Sequence, residues 1–192
     1  MSKEFWDNRW QTGQTGWDLN GVSPAIQKYI DTITDKNIQI LIPGCGNAYE
    51  VDYLLQKGFN HIHVIDISPT LTNKLKDKYK SAVSAGNLKI FCGDFFTHKG
   101  KYDLIIEQTF FCAISPALRR DYAKQMKNLL APNGKLVGLL FNTDFDGGPP
   151  FGGNIYEYNE YFKHYFNTIY FTPCADSIAP RAGKEVWITI KD

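Results

Sequence analysis

An α/β fold built on a mainly parallel sheet is predicted by two observations. Apolar runs rich in β-branched residues alternate with segments of helical periodicity, and the runs end in glycine or an acid. Parallel neighbours need crossover helices, so helices on both faces are expected. The first strand covers residues 38–43 and runs into Gly44-Cys45-Gly46. Asn47 and Glu50 then have capping-box spacing, with Val51, Leu54, Leu55 and Gly58 on one helical face. A second strand, 62–67, carries Asp66, and Ser68-Pro69 supplies a cap and first-turn proline for a helix with Leu71, Leu75 and Tyr79.

The alternation continues. Residues 88–91 form a third strand before Gly93-Asp94, and 102–108 a fourth. Ser115-Pro116 opens a helix whose apolar side is Leu118, Tyr122, Met126 and Leu129, stopped by Pro132-Asn133-Gly134. Residues 135–141 form the fifth strand. A Gly/Pro-rich loop at 146–153 reads as a lid or a plain connector, followed by a helical pattern over 154–166. Strand-like runs at 168–172 and 185–190 close the chain as a hairpin, for seven strands in all.

Length and composition bound the function. A chain of 192 residues suits one domain, and 43% hydrophobic with 21% charged residues is ordinary for a globular protein. A net charge of +1 offers no field for a polyanion, so neither nucleic acid nor a membrane is expected as a partner. Cys45, Cys92, Cys112 and Cys174 are scattered without zinc spacing, so no metal is expected. The N-terminal residues are polar and aromatic rather than an apolar leader, and a cytoplasmic location is expected.

Ligands of open α/β sheets bind where loops leave the carboxyl ends of the strands. Four such exits carry suggestive residues. Gly44 lets a ligand approach the backbone, though a tight turn needs glycine in any case. Asp66 can accept both hydroxyls of an adenosine ribose, or serve as a turn cap. Asp94 and Phe95 can hold an adenine edge and face, or be a solvated acid beside a core ring. Glu107, Gln108, Phe110 and Phe111 suit a place where cofactor and acceptor meet, or the rings enter the core. Tyr49 stands where a dinucleotide fold has its third glycine, which argues against a nicotinamide dehydrogenase. Trp6, Trp10 and Trp17 precede the sheet; their rings can pack on the core, and their indole faces attract a desolvated cation.

Phe5-Trp6-x-x-x-Trp10, Thr15-Gly16-Trp17-Asp18, Ile42-Pro43-Gly44-Cys45-Gly46, Val64-Ile65-Asp66, Thr109-Phe110-Phe111-Cys112, Arg119-x-x-Tyr122, Gly147-Gly148-Pro149-Pro150-Phe151 and Arg181-x-Gly183-Lys184-Glu185 are distinctive together. In order and spacing they make the chain resemble the thiopurine S-methyltransferase superfamily, most closely its halide and thiol methyltransferase branch. The resemblance implies a Rossmann-like class I methyltransferase: a seven-stranded, mostly parallel sheet with an antiparallel last strand, in one domain over residues 1–192. It implies S-adenosylmethionine as donor and S-adenosylhomocysteine as product. Trp6, Trp10 and Trp17, within a cofactor-covering segment 1–35, would close over the donor. Gly44 would take its methionine part, Asp66 the ribose, and Asp94 with Phe95 the adenine. Glu107 and Gln108 would also contact the cofactor. Arg119 would stand near the acceptor as the catalytic, anion-steering residue beside Phe110 and Phe111.

The acceptor implied is a small, soft nucleophile, such as a thiol, hydrosulfide, thiocyanate or halide, taking the methyl group by in-line displacement. Such acceptors need no base, and no persuasive His-Asp pair is visible among His61, His63, His98 and His164. Alternatives are O- or N-methylation of a small metabolite, or a cofactor-binding module without catalysis. A monomer or weak homodimer is expected.

Overall fold

The computed structural model describes all 192 residues. Seven strands form one mixed sheet: β1 (Ile40–Pro43), β2 (Ile62–Asp66), β3 (Leu88–Cys92), β4 (Tyr102–Gln108), β5 (Leu130–Phe141), β6 (Thr168–Pro173) and β7 (Glu185–Lys191). Their order is β3-β2-β1-β4-β5-β7-β6. β2 is parallel to β1 and β3, β4 is parallel to β5, and β7 is antiparallel to both β5 and β6. The mostly parallel sheet with a reversed last strand is therefore observed. No helix is long and apolar enough to cross a membrane. By packing, the chain divides into two compact units, Met1–His98 and Lys99–Asp192.

In the first unit, helices α1 (Lys3–Gln11) and α2 (Pro24–Asp31) precede the sheet, and α3 (Tyr49–Gln56), α4 (Pro69–Lys78) and α5 (Lys80–Ser84) follow β1 and β2. β1 is buried along its whole length, as parallel strands covered on both faces are. The Ser68 cap holds: its Oγ accepts the Leu71 amide at 3.1 Å, with Pro69 in the first turn. Leu71 and Leu75 are buried beneath it. The capping box at α3 does not form. Ala48 occupies the N-cap in a left-handed conformation with no side-chain bond, while the Asn47 oxygen, which would have capped, accepts from Lys74 and its NH2 donates to Asp18. Gly58 is exposed, and Phe59 takes the buried place expected of the helix face.

In the second unit, Ser115-Pro116 starts a short 3-10 turn that leads into α6 (Arg119–Leu129). Tyr122, Ala123, Met126 and Leu129 are buried as their spacing requires, while Leu118 is only half-buried. β5 begins five residues before the expected 135, because Leu130 already pairs with Tyr102. Regular pairing resumes at Leu104 with Lys135, past Asn133 at φ 65°. Helix α7 (Ile155–Phe162) is capped by Asn154, whose Oδ1 accepts the Tyr156 and Glu157 amides at 3.1 Å each. It ends four residues before the expected 166, although Phe166 remains buried.

Candidate active site

Three strand ends with predicted site residues lie in the first unit. After β1, Gly44 and Gly46 take φ of 57° and 51°, the left-handed region that glycine tolerates. A Cβ on Gly46 would meet nothing within 4 Å, so this turn borders open space. Asp66 ends β2. Its Oδ1 accepts the Ser68 amide at 3.0 Å, and the Gly46 and Ile67 amides also face the carboxylate. Burial pushes its pKa up to about 6 despite these donors, and Asp7 adds to the rise. After β3, Asp94 is exposed and caps a 3-10 turn through the Phe96 amide at 2.9 Å, while the Phe95 ring is buried.

The tryptophans form a cluster. Trp6 and Trp10 each meet Trp17 nearly edge-on, with ring centroids 5.5 and 5.7 Å away. All three are half-buried.

In the second unit, Glu107 stands at the end of β4 and is 0% exposed. Its backbone lies against Gly138 of β5, where a Cβ would come within 1.9 Å of the Glu107 carbonyl oxygen. Both oxygens of the side chain are engaged. Oε1 accepts the Phe110 and Phe111 amides at 2.8 and 2.9 Å, and Oε2 accepts the Tyr122 hydroxyl at 2.5 Å. Burial raises its pKa to about 7, opposed by these three donors. They hold a turn in which Thr109 adopts φ 60°. Gln108 differs: both polar atoms of its amide are buried and neither has a hydrogen-bond partner.

Phe110 is half-buried, whereas Phe111 is a core ring meeting Tyr122 at 4.9 Å and Tyr158 at 5.1 Å. Arg119 is 1% exposed. One terminal nitrogen donates to Glu157 Oε1 at 3.1 Å, and the other to the carbonyls of Phe151 and Gly152 at 3.2 and 2.8 Å. Its guanidinium lies 4.8 Å from the Phe111 ring centroid. The Phe151 amide in turn donates to the Cys112 carbonyl at 2.7 Å, so the end of the 146–153 loop is pinned. Cys112 is buried and its thiol is pushed up to about 12 by that burial, which makes it no nucleophile at neutral pH. Arg181 and Glu185 of the closing motif form a buried ion pair.

The sequence model of the thiopurine S-methyltransferase family matches residues 1–189. The chain belongs to the thiopurine S-methyltransferase family. A probable thiol methyltransferase of Arabidopsis thaliana is 34% identical to this family member over 184 residues, 94% of this chain and 81% of the relative. A thiocyanate methyltransferase of Brassica oleracea is 32% identical with the same coverage. In fold, the chain is similar to a TehB-like S-adenosylmethionine-dependent methyltransferase of Corynebacterium glutamicum, with a TM-score of 0.69, 15% identity, and coverage of 99% and 97% of the two chains. This thiopurine S-methyltransferase family member is an S-adenosylmethionine-dependent methyltransferase.

The residues present fit that donor. Gln108 has a buried amide in need of a partner, and the Gly46 turn leaves room at the backbone. Asp66 is a half-buried carboxylate at a strand end. Nothing in the sequence marks Glu50 as a buried acid. It is buried near the start of α3, and burial raises its pKa to about 7. Its capping-box spacing concealed it; the left-handed Ala48 ahead of it and the long-range partners of Asn47, unreadable from residue type, break the box.

Proposed function

We propose that this methyltransferase acts on a small, soft nucleophile: a thiol, hydrosulfide, thiocyanate or halide. The observation that carries the reading is the enclosure of Glu107. The carboxylate at the end of β4 is 0% exposed and accepts from three protein donors, so it is enclosed by the protein rather than presented to an acceptor's proton. An alcohol or amine acceptor needs a base in that role, and a thiolate or halide does not. The names of the curated relatives, thiol and thiocyanate methyltransferases, support the same class.

When bound, S-adenosylmethionine supplies an electrophilic methyl group on a sulfonium, open to in-line displacement. On this reading Gly44, Asp66 and Asp94 hold the donor, with the buried Phe95 ring supporting the Asp94 turn from the core and the Trp6, Trp10 and Trp17 cluster of segment 1–35 covering the donor. Gln108 contacts it through the unpaired amide. Glu107 braces the turn that carries Phe110, and Phe110 offers the acceptor an aromatic, partly dry surface. Arg119 and Phe111 act from behind, by holding the 146–153 loop and the core beneath it.

Methyl-acceptor assays test the proposal. Hydrosulfide, small thiols, thiocyanate and iodide should be methylated with higher kcat/KM than matched alcohols, phenols and amines. A phenol or amine preferred over every thiol and halide would overturn it.

A further inference from the structure

Helix α1 carries Trp6 and Trp10, yet none of its residues is buried. Apolar packing alone therefore does not hold this aromatic segment in place. Two carboxylates fasten it instead, each to a different strand-end turn.

Asp7 reaches the turn after β2. Its Oδ1 accepts the Ser68 hydroxyl at 2.6 Å and the Thr70 amide at 2.9 Å. The Oδ2 accepts the Gln11 side-chain amide at 2.7 Å, and that amide also lies 3.4 Å from Thr70 Oγ1. Ser68 already caps α4 through Leu71, so Asp7 takes an otherwise orphaned donor of the first turn, where a negative charge is favoured. The Ser68 hydroxyl, foremost, holds the Asp7 carboxyl below its ordinary range. The same Ser68 gives its amide to Asp66. One serine thus joins the tryptophan helix to the proposed ribose acid.

Asp18 reaches the turn after β1. Its Oδ2 accepts the Asn47 side-chain amide and the Tyr49 hydroxyl, the latter at 3.1 Å, while its Oδ1 accepts the Asn20 amide at 2.8 Å. Asn47 follows Gly46 directly, and Asp18 follows Trp17.

We propose that Asp7 and Asp18 are positioning residues for donor binding: they pin the tryptophan cluster to the two turns that carry Asp66 and Gly44. The inference rests on the reading of those turns as the donor site. The tie is made of a few charge-assisted hydrogen bonds at half-exposed positions, so breaking it should cost binding more than folding.

The full-length chain tests this with S-adenosylhomocysteine as ligand, calorimetry for affinity, and tryptophan emission for the cluster. Asp7→Ala and Asp18→Ala should each weaken binding by roughly tenfold, the scale of a lost charge-assisted hydrogen bond. The ligand-induced emission change should shrink, with the far-UV spectrum unchanged. Asp7→Asn should bind close to wild type, because its remaining oxygen can still accept from Ser68 and Thr70. Wild-type affinity and emission response in both folded alanine variants would overturn the proposal. If Asp7→Ala does not fold, Thr70→Pro removes the same donor in a first turn that tolerates proline, and the same two results decide. If wild type itself binds no S-adenosylhomocysteine, the donor-site reading fails. Exchange of the Thr70 amide then judges the tie alone: faster exchange in Asp7→Ala supports it, and unchanged protection overturns it.

Discussion

Tyr122 donates its hydroxyl to Glu107 at 2.5 Å in a core where both residues are 0% exposed. Two backbone amides complete the shell around that carboxylate, so protein donors replace the water it lost. The pair ties α6 to the end of β4 and fixes the turn bearing Phe110.

Removing the shell's centre should be costly. Glu107→Ala leaves three donors unpaired and should lose roughly 3 kcal/mol or more of stability, whereas Tyr122→Phe removes one and should lose about 1–3 kcal/mol. Glu107→Gln keeps an acceptor for the amides and gives Tyr122 a donor, so its loss should be the smallest. Urea unfolding midpoints would rank the variants, and an Ala variant as stable as wild type would show that the donors find other partners. The sign of the pH effect follows from the raised pKa. Folded Glu107 binds its proton up to about 7, above the unfolded value, so its favourable contribution at low pH is lost as pH rises through 7. The stability margin of wild type over Glu107→Gln should therefore shrink between mildly acidic and alkaline buffer.

Asp66 gives donor binding its own pH dependence. Its pKa is raised to about 6 by burial, and the ionised form is the stronger acceptor for two ribose hydroxyls. Affinity for S-adenosylhomocysteine should thus hold above that value and fall below it, approaching about tenfold per pH unit if only the carboxylate binds. Asp66→Asn should flatten the profile, and Asp66→Ala should weaken binding by roughly 1–3 kcal/mol while leaving the fold intact. Calorimetric titrations across the range measure both effects. A profile unchanged by Asp66→Asn would assign the titration to another group.

Arg119 tests whether a buried cation steers or braces. Its terminal nitrogens serve Glu157 and the carbonyls of Phe151 and Gly152, so Arg119→Met strips two carbonyls of their donor and leaves Glu157 with Tyr161 and solvent. A stability loss of roughly 2–4 kcal/mol is expected, with Glu157 partly rehydrated. Arg119→Lys should rescue little, because one ammonium cannot reproduce the fork. The residual rate should fall by similar factors for small anions and neutral thiols. A selective loss with anions would restore a steering role at the acceptor.

What was legible in the sequence was local. Ser68-Pro69 announces α4 because the cap bonds a residue three positions on, and the strands stand out because buried parallel strands are apolar runs. Long-range partners were not legible. Asn47 fits a capping box, yet its oxygen is taken by Lys74, twenty-seven residues later, and its NH2 by Asp18, twenty-nine residues earlier. Arg119 reads as an acceptor-side arginine by resemblance, and its partners lie 32, 33 and 38 residues away in a loop and a helix. Helix α1 shows little apolar periodicity because its anchors are polar.

Gln108 sets stability against function at a single side chain. Its amide is buried without a partner, a state that costs the ligand-free protein the desolvation of both polar atoms. Replacing it by leucine, similar in volume and apolar, removes that penalty, so Gln108→Leu should leave the ligand-free protein as stable as wild type or raise it by about 1 kcal/mol. If the donor is the missing partner, the same substitution should weaken S-adenosylhomocysteine binding by roughly tenfold and reduce the thermal shift that the ligand produces. Gln108→Glu separates hydrogen bonding from shape. It keeps the volume but buries a charge and removes the two N–H donors, and it should lose both stability and affinity. Melting curves with and without ligand read both quantities from one sample. A Leu variant that is destabilised yet binds normally would reverse the argument, placing the unseen partner of Gln108 within the protein rather than in the donor.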